Sequence, residues 1–245
     1  MKRGIEVHHL TKEYPGTDVP AVHQVTFAVA PGEVVGLLGA NGAGKTTIMK
    51  VLATLLRPTA GTVRVDGFNT VGASRAVRSR VGMLFGSDSG LYERLSGREN
   101  IRYFADLHGV ETGTREVRFS RLADLFGLHS FADRLVATCS TGMKQRIALA
   151  RSVIHDPPVL ILDEPTNALD IATTTVVHQF ISLSRNEGKA VILSSHDTTE
   201  LENLCDRVLL IDAGTIVDDA RRGRDFGRST GLLRERLLAM DGLCR

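Results

Sequence analysis

Gly39-Ala40-Asn41-Gly42-Ala43-Gly44-Lys45-Thr46-Thr47 fits the phosphate-loop pattern G-x-x-x-x-G-K-[ST] without a mismatch. Gly39, Gly42 and Gly44 let the backbone bend so that successive N–H groups point into one concavity, a nest for phosphate oxygens. A helix beginning at this point adds the positive end of its dipole, and Lys45 adds a mobile ammonium for the outer phosphates. Thr46 offers a hydroxyl to the magnesium ion that travels with a nucleoside triphosphate. A chance glycine-rich turn would not also have an apolar strand before it, a helix after it and Lys-Thr at the right offset.

Three further constellations suit the same chemistry. Val159-Leu160-Ile161-Leu162-Asp163-Glu164 is an apolar run ending in two carboxylates. A buried strand there delivers Asp163 to magnesium and leaves Glu164 placed to orient or deprotonate a water attacking the γ-phosphate. Ser194-Ser195-His196-Asp197 follows another apolar strand and sets His196 at its carboxyl end. Ser140-Thr141-Gly142-Met143-Lys144-Gln145-Arg146 opens a helical run, so Ser140 and Gly142 mark a second anion-seeking helix start.

These residues need a scaffold, and the hydrophobic pattern supplies one. Short strands are expected over 5–10, 22–29, 34–38, 62–65 and 81–85, with a helix from Thr46 to about Leu55. From Ser96 to His155 the period becomes helical, through Ile101, Phe104, Ala105, Leu122, Leu125, Phe126, Ile147 and Ala148. After Asp156-Pro157-Pro158 strand and helix alternate again over 159–162, 171–184, 190–193 and 208–211. Strands, then helices, then strands predict an α/β core with a mostly parallel sheet, interrupted by a helical subdomain, with nucleotide at the carboxyl ends of the strands.

The chain has 245 residues, 42% of them hydrophobic, and a net charge of +2, so it is long enough for a large core and too apolar for disorder. Cys139, Cys205 and Cys244 form no disulfide or metal spacing, which suits a reducing cytoplasm. The first residues turn polar at once, so no signal peptide is expected, and no apolar run approaches the roughly 18 residues of a membrane span. A basic tail over 221–245, with seven arginines against Asp225, Glu235 and Asp241, is expected to be a solvated helix face. Phe226 is its one aromatic, so no nucleic-acid partner is expected.

In combination and order, these motifs resemble the ATP-binding subunits of ABC transporters, over about residues 5–219. Tyr14 matches the aromatic residue that stacks on adenine in that family, and Gly39–Thr46 the phosphate loop, with Thr47 beside it. Cys139-Ser140-Thr141-Gly142-Met143 with Gln145-Arg146 corresponds to the LSGGQ signature, Asp163 and Glu164 to the magnesium and catalytic carboxylates. Asn167-Ala168-Leu169-Asp170 matches the loop that follows, with Asp170 at the dimer contact, and His196 matches the switch histidine. The implied fold is a P-loop NTPase (RecA-like) core, 1–90 and 156–220, with an N-terminal antiparallel β subdomain and a helical subdomain inserted at 91–155. The chain departs from the pattern at Cys139, Thr141 and Met143, and again at Gly86, where the family has a glutamine. That leaves Ser87, Asp88 or water to fill the role, or a link made differently.

The resemblance also implies ATP and Mg2+ as cofactors and a head-to-tail dimer of two chains around two ATP molecules, each site receiving Ser140 and Gly142 from the opposite copy. Lys45, Glu164 and His196 are the implied catalytic residues, and Thr46 and Asp163 the metal ligands. The implied partner is an integral membrane permease, which makes the only membrane contact and holds the subunit at the inner face of the cell membrane. Its cytoplasmic helix is expected at 86–95, where Leu91, Tyr92 and Leu95 are either its apolar contact or part of the local core. The segment 84–95 is most similar to ATP-binding subunits of bacterial sodium-extrusion systems, with drug and polysaccharide exporters sharing much of it. ABC ATPases of ribosomes or DNA repair carry a long coiled coil or two ATP modules, which this chain lacks. A compact kinase or GTPase is disfavoured by the separation of 118 positions from Lys45 to Asp163.

Overall fold

A computed structural model describes residues 3–86 and 90–222. The chain begins with β1 (Ile5–Lys12) and β2 (Val22–Val29), crosses to β3 (Val34–Leu38) and α1 (Lys45–Leu52), and returns as β4 (Ala60–Val65) and β5 (Phe68–Asn69). The short α2 (Ser74–Arg78) leads to β6 (Val81–Phe85), followed by α3 (Gly97–Leu107), α4 (Thr112–Phe126) and α5 (Thr141–Val153). Then β7 (Val159–Asp163), α6 (Ile171–Asn186), β8 (Ala190–Ser194), α7 (Thr198–Leu204), β9 (Arg207–Asp212) and β10 (Thr215–Arg221) complete it.

The main sheet runs β10-β9-β3-β8-β7-β6, parallel except for β10, which pairs antiparallel at the edge. Strands β3, β7 and β8 are buried at every position because both faces are covered, and their residues are apolar except for Asp163 and Ser194 at the carboxyl ends of β7 and β8. Successive side chains point to opposite faces, so Val159 and Ile161 join one core while Leu160 and Leu162 join the other. The first core also takes residues from β1, β2, β4 and α1; the second takes residues from α3 to α7. The smaller sheet, β2-β1-β4-β5, is antiparallel.

One row across the main sheet sets the site. Leu37 pairs with Ser194, Ser194 with Asp163, and Asp163 with Phe85. The carboxyl ends of β3, β8, β7 and β6 therefore lie side by side, although the segments that follow them are far apart in sequence.

The expected strands and helices are present with shifted ends. Helix α1 stops at Leu52, three residues before Leu55, and Thr54 adopts a positive φ of 62°. Strand β10 was not among the expected elements; Asp212-Ala213-Gly214 turns the chain there, with φ positive at Ala213 and Gly214 as a tight hairpin requires. Arg221 is the last residue of β10, so the tail expected over 221–245 begins inside a strand, and 223–245 lies outside the described residues. Ser87 and Asp88 also lie outside them.

Candidate active site

The phosphate loop leaves β3 and enters α1 through Gly44, whose φ is 108°. A Cβ on Gly44 would stand 2.6 Å from the Ala21 carbonyl oxygen, so neither the dihedral nor the space admits a side chain. No side chain caps α1 and no acidic residue sits in its first turn, so its leading N–H groups remain for an anion. Lys45 is buried, and its Nζ donates to the carbonyl oxygens of Gly39, at 2.6 Å, and Ala40, at 3.0 Å. Burial lowers its pKa, while the charges of Glu164 and Asp163 pull it back up. The ammonium is thus held over the loop in the same space as two carboxylates.

The Thr46 hydroxyl donates to Asp163 Oδ2 at 2.8 Å, and the Ser194 hydroxyl donates to Asp163 Oδ1 at 2.6 Å. Oxygen donors alone converge here, the set a hard divalent cation such as Mg2+ prefers, so the residues fit the ion. Glu164 follows at a positive φ of 49°, a strained conformation for a residue with a side chain. Its backbone N–H donates to Ser194 Oγ at 2.9 Å and its Oε2 accepts from Asn167 Nδ2 at 3.0 Å. His196 Nδ1 stands 3.7 Å from Glu164 Oε1. Tyr14, partly exposed, brings its hydroxyl to 3.3 Å from Thr47 Oγ1, with Lys12 Nζ 5.3 Å from its ring centre. The fold therefore gathers Tyr14, the loop, Asp163, Glu164 and His196 along one sheet edge.

Ser140 and Gly142 share no hydrogen bond with that group among the described residues. Ser140 is the N-cap of α5: its Oγ accepts from Met143 N–H at 3.3 Å and its N–H donates to Met143 Sδ at 3.4 Å. The thioether takes the part a Glu or Gln plays in a capping box, so the departure at Met143 keeps the helix start formed. A Cβ on Gly142 would approach Thr173 Oγ1 to 3.0 Å and Asp170 Oδ2 to 3.4 Å, so the segment lies tight against the start of α6. Asp170 caps α6 through Thr173 N–H at 2.8 Å, and that bond is the largest influence holding its carboxyl below the usual range. Arg146 donates to Thr173 Oγ1, and buried Gln145 donates to the Pro165 carbonyl. The signature helix is thereby linked within one chain to the loop after Glu164.

Two contributors carried no expectation of their own. Ser194 bonds the Asp163 carboxylate and the Glu164 backbone N–H, and Asn167 holds the Glu164 carboxylate. The available signal was positional: a hydroxyl ending the strand beside an acidic strand end, and an amide three residues after the carboxylate.

A family model described as ABC transporter matches residues 22–167. This chain belongs to the ABC transporter ATP-binding family. It is 42% identical over 199 residues to the ABC transporter ATP-binding protein NatA of Bacillus subtilis, 81% of each chain. It is 35% identical over 248 residues to the bacitracin transport ATP-binding protein BcrA of Enterococcus faecalis, covering 97% of this chain and 79% of that one. Among solved structures, an ATP-binding subunit of an ABC transporter superposes with a TM-score of 0.84 at 28% identity, over 94% of both chains. A dimeric, post-hydrolysis ATP-binding cassette bound to ADP and phosphate superposes with a TM-score of 0.79 at 25% identity, over 89% of this chain and 98% of that one. The protein is an ATP-binding ABC ATPase, and among its described residues no helix is long and apolar enough to cross a membrane.

Proposed function

We propose that two copies of this chain close head to tail around two ATP molecules and drive a separate membrane permease in export, with sodium ion as the transported species. The observation that carries the ATPase part is the sheet edge where Lys45, Thr46, Asp163, Glu164 and His196 meet. Gly39–Thr47 binds the phosphates, Tyr14 stacks on the base, and Thr46 and Asp163 hold Mg2+. Mg2+ when bound supplies charge neutralisation between the β- and γ-phosphates. Glu164 orients the attacking water and accepts its proton, His196 bonds the γ-phosphate beside it, and Ser140 and Gly142 present the uncapped donors of α5 to the opposite copy's nucleotide. Asp170 lies at the contact between copies. The permease docks at 86–95, which places this subunit at the cytoplasmic face of the membrane.

Export of sodium rests on the likeness of segment 84–95 to sodium-extrusion subunits and accords with the likeness to NatA. A second reading, export of a peptide or polyketide drug, is favoured by the bacitracin transport and daunorubicin resistance relatives. The test is to recover the chain from solubilised membranes, identify the membrane protein that accompanies it, and place both in vesicles. ATP-dependent sodium movement is expected. Bacitracin or daunorubicin movement without sodium would select the second reading, and recovery with ribosomes would overturn both.

A further inference from the structure

His196 is exposed, and its ring makes no hydrogen bond among the described residues. Its position must come from the backbone on either side, and one buried side chain governs that backbone. Glu200, on α7, is almost fully buried. Its Oε2 accepts from the Ser195 hydroxyl at 2.6 Å and its Oε1 lies 2.9 Å from His178 Nε2, on α6. Thr166 faces the same cleft as this carboxylate. Ser195 precedes His196 directly and in turn accepts from the Asp197 N–H at 3.0 Å. Thr166 lies two residues after Glu164 and adjoins Asn167, which holds the Glu164 carboxylate. Both loops wall a cleft of about 320 Å³ that also includes His178 and Glu200.

We propose that Glu200 is a positioning residue for hydrolysis, holding through Ser195 the loop that carries His196 and so fixing the 3.7 Å approach of its ring to Glu164. The inference rests on the reading that Glu164 and His196 act together on the γ-phosphate. A carboxylate here is costly to bury. Burial works to raise its pKa, but the hydrogen bonds to His178 and from Ser195 act against that, and its pKa lies below the usual range. A charge so held makes short, directional bonds, so it sets spacing better than a flexible neutral side chain would. Helix packing alone does not explain the arrangement, since the carboxylate meets a loop hydroxyl and a histidine on another helix.

The test compares Ser195→Ala, Glu200→Gln and His196→Ala, singly and with His196→Ala as the background. ATP turnover, KM for ATP and melting temperature are measured for each, and single-turnover assays follow the slow variants. Ser195→Ala and Glu200→Gln are expected to lower kcat about tenfold to a hundredfold with KM within about twofold, the pattern of a misplaced catalytic group. In the His196→Ala background neither should lower kcat further, because the group they position is gone. Equal losses in both backgrounds, or an unaltered kcat in Ser195→Ala, would overturn the inference. An unaltered kcat in His196→Ala would instead overturn the role of His196 itself. Should Glu200→Gln fail to fold, Ser195→Ala carries the same comparison with a one-atom deletion.

Discussion

Asp163 and Glu164 are adjacent carboxylates, yet their surroundings differ in the way the proposed tasks require. Asp163 is buried and bonded by two hydroxyls, those of Thr46 and Ser194. Glu164 is turned by its positive φ toward open space, with a side chain one-quarter exposed. A group that must take a proton from water needs that access, whereas a metal ligand needs fixed geometry. Glu164→Gln keeps the shape and the acceptor for Asn167 but removes basicity. Hydrolysis is expected to fall roughly 10²–10⁴-fold, the usual contribution of a general base. ATP binding should persist, so a nucleotide-bound dimer should accumulate in sedimentation with ATP and Mg2+; hydrolysis at the normal rate would remove Glu164 from its role. At this scale the sequence was legible where residue type and spacing are jointly restrictive, as in Gly39–Thr47 and Asp163-Glu164. It was not legible at Ser194 or Met143, since a serine ending a strand and a thioether capping a helix are common residues whose partners only the fold supplies.

The helices are joined by contacts that no motif announces. His155 follows α5 and stacks on His108, the C-cap of α3, with ring centres 3.7 Å apart and planes 12° from parallel. Burial pushes the His155 pKa down to about 3, and the neighbouring His108, Arg118 and Lys189 charges push the same way. Burial lowers His108 as well. As pH falls, the unfolded chain takes up the His155 proton near 6.5 while the folded chain refuses it, so this stability is complete above that pH and is lost below it. The loss from one such proton is at most about 1.4 kcal/mol per pH unit. His155→Phe keeps a flat ring over His108 without the titration. Its melting temperature is expected to fall less steeply than that of the unaltered chain from about pH 7 to about pH 5.5, a window above most carboxylate pKa values. Equal slopes would show that other groups set the acid sensitivity. Element types were readable because apolar period separates strand from helix, but β10 was missed because Thr215-Ile216-Val217-Asp218-Asp219 on a sheet edge mixes exposed apolar and acidic residues.

For the whole molecule, the question is which chain completes each nucleotide site. Within one chain α5 begins with a formed cap at Ser140, while its neighbours are Asp170 and Thr173, and no hydrogen bond reaches the phosphate loop among the described residues. A donor end built this way is complete except for an anion, and the phosphate loop with Glu164 is complete except for donors on its far side. A head-to-tail pair satisfies both. Complementation separates this arrangement from one in which each chain works alone. Lys45→Ala damages the phosphate loop, and Ser140→Arg blocks the donor end with bulk and the guanidinium of a long side chain. Each variant alone is expected to lose hydrolysis, though Ser140→Arg should still bind ATP as a monomer. In a mixed dimer, the Ser140→Arg chain contributes a sound phosphate loop and the Lys45→Ala chain a sound Ser140, so one site of the two is whole. Each mixed dimer should therefore work at about half of the unaltered rate, and an equal mixture should recover hydrolysis that neither variant shows alone. Recovery should rise with protein concentration, because it depends on association. If each chain supplied its own Ser140, every site in the mixture would carry a defect, and mixing would restore nothing at any concentration.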